Sequence, residues 1–251
     1  MTNKQQHIMV VGATSAMAEH CARLWAAQSP QRLTLVGRDA QRLQRVAEDL
    51  KVRSPKSHIE VIAMDLLNAQ AIETTVSRVV MQQPLDVALI AHGVLSDQTA
   101  CQNDVRQVEA SLQVNAVSPV LWAEACVQHM VAAQHGTVAV IGSVAGDRGR
   151  QSNYVYGAAK GLVARYMQGM QHRLAGSPVK AVLIKPGPTA TPMTAALTAQ
   201  GQKMASVEQV AQDIVSGVAR GQAVIYTPGI WRWVMLVVMH IPRWVFDRVR
   251  I

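Results

Sequence analysis

The stretch His7-Ile8-Met9-Val10-Val11-Gly12-Ala13-Thr14-Ser15-Ala16-Met17-Ala18 decides how this chain is read. Its opening run HIMVV (7–11) is apolar and predicts a strand. Gly12 breaks the run, Thr14 and Ser15 supply hydroxyls, and Ser15–Gln28 is long enough for a helix. A strand that stops at glycine and passes straight into a helix gathers free backbone N–H groups and the positive end of the helix dipole at one point. A phosphate can sit there. The same residues also describe an ordinary tight turn with Ser15 as a helix cap, so the segment alone leaves both readings open.

Outward from this turn the same alternation repeats. Arg32–Gly37, His58–Met64, Leu85–Ala91, Thr137–Gly142, Val179–Lys185 and Ala223–Tyr226 are further short aliphatic runs bounded by Gly, Pro or polar clusters. Segments such as Ala40–Val52 and Asn68–Gln82 between them suit crossover helices. Alternating strands and helices predict an α/β fold: a doubly wound parallel sheet of about seven strands, Rossmann type, with helices on both faces. Hydrophobic residues make up 49% of the 251 positions and charged residues 16%, which excludes a disordered chain and allows a full core. With aromatics at 4%, aliphatic side chains must fill that core. One dinucleotide-binding catalytic domain over 1–226 is expected, followed by an amphipathic Trp/Arg-rich tail over 227–251.

Charge and cysteines narrow the classes further. Lys and Arg number 24 against 16 Asp and Glu, a formal charge of +8. The basic residues are scattered over most of the chain, which argues against nucleic acid and fits an anionic ligand or surface. Cys21, Cys101 and Cys126 lack CxxC spacing, so neither a disulfide framework nor a metal site is expected, and a reducing compartment is. The polar start MTNKQQ predicts no signal peptide, and no apolar run reaches 18 residues, so a cytoplasmic protein is expected.

Chemistry concentrates later in the chain. Tyr156 and Lys160, in Tyr-Gly-Ala-Ala-Lys, lie four apart and share one helix face. A free phenol ionises near pH 10, and a neighbouring ammonium is expected to bring it toward neutrality. Ser143 ends the fifth strand 13 residues before Tyr156, and Asn115 lies 28 before Ser143. Lys185-Pro186-Gly187-Pro188-Thr189 follows the sixth strand, with Thr191 shortly after. At the second strand tip Arg38 follows Gly37 and suits a ribose 2′-phosphate, while the adjacent Asp39 suits a free 2′-hydroxyl or simply caps the next helix.

The order Asn115, Ser143, Tyr156, Lys160, then a Pro-Gly loop, resembles the short-chain dehydrogenase/reductases, over nearly all of residues 7–226. The phosphate turn resembles the family's TGxxxGxG but carries Val11, Ala16 and Ala18 where the pattern has Thr and two Gly. The fourth strand keeps only Gly93 of the family's NNAG, in Ile90-Ala91-His92-Gly93. The resemblance implies a ketone–alcohol oxidoreductase that takes NADP(H), or NAD(H). Tyr156 would be the acid/base, Ser143 the holder of the carbonyl oxygen, and Lys160 the ribose ligand and tuner of Tyr156. Asn115 would hold a water linking Lys160 to solvent. It further implies cofactor contacts from Gly12, Thr14, Ser15, Ala16, Met17 and Arg38, then Asp65, Leu66, Ala91, His92 and Gly93. Asn115, Tyr156, Lys160, Pro186, Gly187, Thr189 and Thr191 complete that set, and Asp65 would meet the adenine. The family also implies a homo-oligomer.

Two segments bear on the substrate. Thr191–Ser206 occupies the family's lid position, with Met193, Leu197 and Met204 as an apolar cover. Ile230–Ile241 is flanked by Trp and Arg, as an interfacial membrane helix or a packing helix would be. The GATSxxA start, the RGRQSNYVYGAAK segment and the tail are similar to reductases of lipid-phosphate-linked 2-keto sugars. Arg148 and Arg150 are accordingly expected to bring positive charge to the substrate mouth, for a small or lipid-linked carbonyl compound. A 3-oxoacyl-thioester reductase and a non-catalytic nucleotide-binding regulator are the competing readings, the latter favoured by the altered glycines and opposed by the complete Asn/Ser/Tyr/Lys set.

Overall fold

The computed structural model describes residues 5–195, 201 and 203–249. Its strands are β1 His7–Val11, β2 Arg32–Gly37, β3 His58–Ala63, β4 Val87–Ile90, β5 Thr137–Ile141, β6 Lys180–Pro186 and β7 Val224–Thr227. They form one sheet in the order β3-β2-β1-β4-β5-β6-β7, every neighbouring pair parallel. The helices are α1 Ala16–Gln28, α2 Ala40–Arg53, α3 Ala69–Gln82, α4 Gln98–Asn103, α5 Val105–Leu112, α6 Ser118–Ala133, α7 Tyr154–Arg173 and α8 Val207–Ala219. Beyond β7 come α9 Ile230–His240 and α10 Arg243–Phe246.

The central strands β1, β4 and β5 are largely apolar runs because helices cover both faces, whereas the edge strand β3 carries Glu60 and is only partly buried. Met9 and Val11 of β1 join a core with Val76, Trp122, Val163 and Met167 from α3, α6 and α7. Ile8 and Val10 point the other way, into a core with Ala18, Leu43, Leu50 and Ile214 from α1, α2 and α8. Each such aliphatic side chain contributes roughly 1.5–3 kcal/mol by leaving water. The strands match the sequence reading to within one or two residues. Met64, Ala91 and Gly142 fall just outside β3, β4 and β5, because at the carboxyl edge the chain turns out of the sheet. From β1 the chain builds outward through β2 and β3, then returns to lay β4 on the other side of β1. The loops after β1 and β4 therefore diverge, and a crevice opens between them.

The C-terminal tail is clasped rather than free. Arg148 donates from Nη1 to the carbonyls of Val238 (2.5 Å) and Ile241 (2.7 Å), and its guanidinium lies 3.7 Å from the centroid of the Phe246 ring. The expectation that Arg148 faces the substrate is thus corrected. The open carbonyls at the end of α9 attract a cation, and a ring face adds to the attraction. Met235 is buried beneath α9, whereas Trp233, Val237 and Trp244 on the outside are 63–67% exposed. Among the described residues no helix is long and apolar enough to cross a membrane.

Candidate active site

At the end of β1, Gly12 adopts φ +79°, and a Cβ there would stand 2.6 Å from the backbone nitrogen of His92. Only glycine meets both demands. The N–H groups of Gly12 and Ala13 both donate to Val36 O, at 2.8 and 3.1 Å, locking the turn against β2. Ser15 stands at the cap of α1, yet its hydroxyl makes no capping bond. The helix-cap alternative therefore leaves the Ser15 hydroxyl unexplained. Ala18 is fully buried in the α1 core, so the departures at Ala16 and Ala18 occur inside or at the mouth of a helix that alanine favours.

This turn forms one wall of a cleft of about 530 Å³ at the β1/β4 crossover. Thr14, Ala16 and Met17 line it beside Gly12 and Ser15, and Ala91, His92 and Gly93 come from the end of β4. Arg38, Leu66 and Thr191 line it as expected, whereas Asn115 lies buried behind it. Asp39 lines the cleft beside Arg38 and Arg42 and is also the N-cap of α2, its Oδ1 accepting from Arg42 N at 3.0 Å. Asp65 departs from expectation. It is absent from the described wall, and its Oδ1 accepts from Leu67 N at 3.0 Å within its own exposed loop. Sequence reasoning missed Arg42, which lines the cleft with Arg38 and donates to Thr14 O at 3.2 Å. Its place in the first turn of α2, just behind the strand tip, was the available signal.

His92 is held by a chain of bonds that fixes its tautomer. Ser118 donates its hydroxyl to Leu66 O (2.6 Å), so it accepts from His92 Nε2–H (2.8 Å). Nδ1 is left as a buried acceptor with no partner, on a residue that lines the cleft. Burial, with Lys160 and then Arg38 adding repulsion, pulls the His92 pKa down to about 3, so the ring is neutral.

A smaller cavity of about 150 Å³ adjoins this cleft, lined by Ser143, Tyr156, Lys160, Pro186, Gly187 and Thr189. Close packing brings these together. A Cβ on Gly146, in the short turn Val144–Gly146, would stand 2.6 Å from the carbonyl carbon of Lys160, so the turn lies directly on α7. Ser143 at its head, whose Oγ accepts from Ala145 N at 3.1 Å, thereby comes close enough to Tyr156 for its hydroxyl to act on the phenol. Gln98 of α4 accepts from Val155 N at 3.0 Å and serves the start of α7, where Asn153 makes no capping bond. Lys160 is buried, donates to Ile141 O at 2.9 Å, and sits 5.8 Å from the centroid of the Tyr156 ring. Asn115 lies in a π-helical turn, Gln113–Val117, that rotates it fully inward. Its Oδ1 accepts from Val94 N at 2.9 Å. Above Gly93 the Asn115 Oδ1 and Lys160 Nζ flank a common space, 2.9 and 3.6 Å from where a Cβ would stand.

The sequence placed here agrees with a known pattern: the short-chain dehydrogenase family matches residues 6–202. The chain belongs to that family. An uncharacterized oxidoreductase of Streptomyces coelicolor is 27% identical over 244 residues, covering 96% of this chain and 94% of the relative. Another from Mycobacterium tuberculosis is 27% identical over 242 residues, covering 96% of each. Levodione reductase superposes with a TM-score of 0.80 at 17% identity, over 88% of this chain and 95% of that one. A short-chain dehydrogenase from Sphingobium yanoikuyae in complex with NADPH gives 0.79 at 23% identity, over 98% and 96%. The protein is an NAD(P)-dependent oxidoreductase of the short-chain dehydrogenase type.

The cleft fits the dinucleotide that this family uses. Gly12 leaves a space no side chain could share, the Ser15 hydroxyl is uncommitted to its helix, and His92 Nδ1 awaits a donor. The electrostatics of the phenol correct the sequence reading. Burial raises the Tyr156 pKa, opposed only by the Ser143 hydrogen bond, and Lys160 does not bring it toward neutrality. The same burial pulls Lys160 down to about 8. Desolvation outweighs attraction here, so Tyr156 carries its proton at neutral pH.

Lys160 therefore costs stability. Its folded pKa is depressed below the ordinary 10.5, so below about pH 8 the full penalty is present, and it fades as pH rises toward 10.5. Lys160→Met is expected to stabilise the protein at pH 7 by up to roughly 3 kcal/mol, with the gain shrinking by pH 10, while turnover is lost. Urea unfolding at the two pH values checks this; equal or lower stability of the variant at pH 7 would refute it.

Proposed function

We propose that the chain is an NADP(H)-dependent reductase interconverting a ketone and a secondary alcohol. The observation that carries this is the convergence of Ser143, Tyr156 and Lys160 on a cavity continuous with the arginine-bearing cleft. The bound cofactor supplies hydride. Gly12, Thr14 and Ser15 receive its pyrophosphate, His92 Nδ1 accepts from one of its hydroxyls, and Lys160 donates to its ribose. Ser143 and Tyr156 both donate to the substrate carbonyl oxygen, and Tyr156, protonated at neutral pH, releases its proton there as the oxygen gains charge. Asn115 holds a water beside Lys160 through which that proton is replaced. Pro186, Gly187, Thr189 and Thr191 exclude water from the reacting carbon, and Met193 closes over both cavities. Leu197 lies outside the described residues.

Arg38 and Arg42 face the position of a 2′-phosphate, which supports NADPH over NADH. Calorimetric titration is expected to give tighter binding of NADPH, and Arg38→Ala to weaken NADPH about tenfold with little effect on NADH. NADH binding as tightly as NADPH would remove Arg38 from this role. Turnover is tested by loss of NADPH absorbance over ketones, including lipid-linked keto sugars.

We place residues 1–226 as the catalytic unit and 227–251 as the part that brings it to its substrate, at the inner face of a cytoplasmic membrane. The support is the outward face of α9 and α10, where exposed Trp233, Val237 and Trp244 stand among Arg232, Arg243 and Arg248. A lipid-linked substrate would suit that position. We also expect a homo-oligomer, because β7 ends the sheet as an open edge with Val224 exposed, and Leu162 of α7 is exposed as well.

A further inference from the structure

We infer that Arg150 determines which carbonyl compounds this site accepts, by receiving an anionic group of the substrate, a carboxylate or a phosphate. The inference rests on the reductase reading and adds the substrate class. Arg150 lines the small cavity with Ser143 and Tyr156, in the loop that runs into α7. Its Nε is buried and has no hydrogen-bond partner, and among the described residues no carboxylate is paired with the guanidinium. Arg148, two positions earlier, is fully employed on the tail and fixes the loop. Arg150 has no such employment.

Charge points the same way. Among the described residues lining this cavity there is no Asp or Glu, and the other cation, Lys160, already donates to Ile141 O. A half-buried guanidinium without a counter-charge is costly, and burial pulls its pKa down, though it stays cationic. An arriving anion repays that cost with a forked, charge-assisted pair of hydrogen bonds. The cofactor's own phosphates do not meet this need. Arg150 is absent from the described wall of the larger cleft, where Arg38 and Arg42 stand. Asn153, on the same wall as Arg150, also buries an unpartnered Oδ1, an acceptor suited to a hydroxyl of the substrate rather than to the anion itself.

The test uses the full chain loaded with NADPH, so that the Arg38 end is filled. Inorganic phosphate and acetate are titrated calorimetrically into the wild type, Arg150→Ala and Arg150→Lys. Saturable binding of at least one anion is expected, weakened at least tenfold by Arg150→Ala and partly restored by Arg150→Lys; the tighter anion names the class. In parallel, kcat/KM is compared for dihydroxyacetone and dihydroxyacetone phosphate. Their ratio is expected to favour the phosphate in the wild type and to fall at least tenfold in Arg150→Ala. Should that variant not fold, Arg150→Gln replaces it. Absence of anion binding in the wild type, anion binding equal in wild type and variant, or an unchanged ratio overturns the proposal. If neither ketone consumes NADPH while anion binding still depends on Arg150, the anion site stands and the reductase reading is what fails.

Discussion

Tyr156→Phe is expected to lower turnover by roughly 10²–10⁴-fold while cofactor binding stays largely intact. The substitution removes one oxygen and leaves the ring, so the packing of α7 against the turn at Val144–Gly146 is undisturbed. What disappears is the hydroxyl that stands beside Ser143 in the small cavity. Burial raises the Tyr156 pKa, so in the folded protein the group is a proton donor throughout the neutral range. No other described phenol lines the cavity, and Ser143 alone is far too weak an acid to replace it. Steady-state NADPH oxidation with any accepted ketone measures the effect. Turnover like that of the wild type would remove Tyr156 from the chemistry and leave the site a binding pocket.

The second large effect is expected at Gly12. Gly12→Ala asks a Cβ to exist at φ +79° and 2.6 Å from the His92 nitrogen, with His92 Cβ and Cα at 2.7 and 2.8 Å, none of which can move without the backbone. The left-handed conformation costs about 1–2 kcal/mol, and the collision forces the ends of β1 and β4 apart. A loss of roughly 2–4 kcal/mol in unfolding free energy is expected, with NADPH affinity falling more than tenfold because the crevice itself is deformed. Gly169→Ala is the control. Gly169 lies inside α7 with nothing within 4 Å of its Cβ position, so the same change there is expected to be neutral or stabilising. If the two variants unfold alike, Gly12 has no special role.

Much of this was legible in the sequence because the physics is local. A strand buried on both faces needs an unbroken aliphatic run, and β1, β4 and β5 all show one. Tyr156 and Lys160 meet because a helix repeats every 3.6 residues, and Ser143 was marked by its place at a strand tip. Illegible features depend on contacts distant in the chain. Nothing around Asn115 announces a π-helical turn, which arises where α5 and α6 join under α7. The Tyr156 pKa follows from how deeply the phenol is buried, a quantity absent from the spacing of Tyr and Lys. Arg148 and Arg150 look equivalent in the sequence, yet one clasps the tail 90 residues away and the other faces the cavity. Asp65 matched a position and missed the wall because its own loop offered Leu67 N first.

The indole of Trp231 lies so close over Gly187 that any side chain at 187 would run into it. The last helices thus back the loop at Gly187, which lines the small cavity, and severing them at 228 would strip that backing. A shortened chain with poor activity would report a leaking pocket, whatever had happened to its attachment elsewhere. Separating the two calls for replacements confined to the outer surface, at Trp233, Val237 and Trp244, which leave Trp231 and Met235 in their seats.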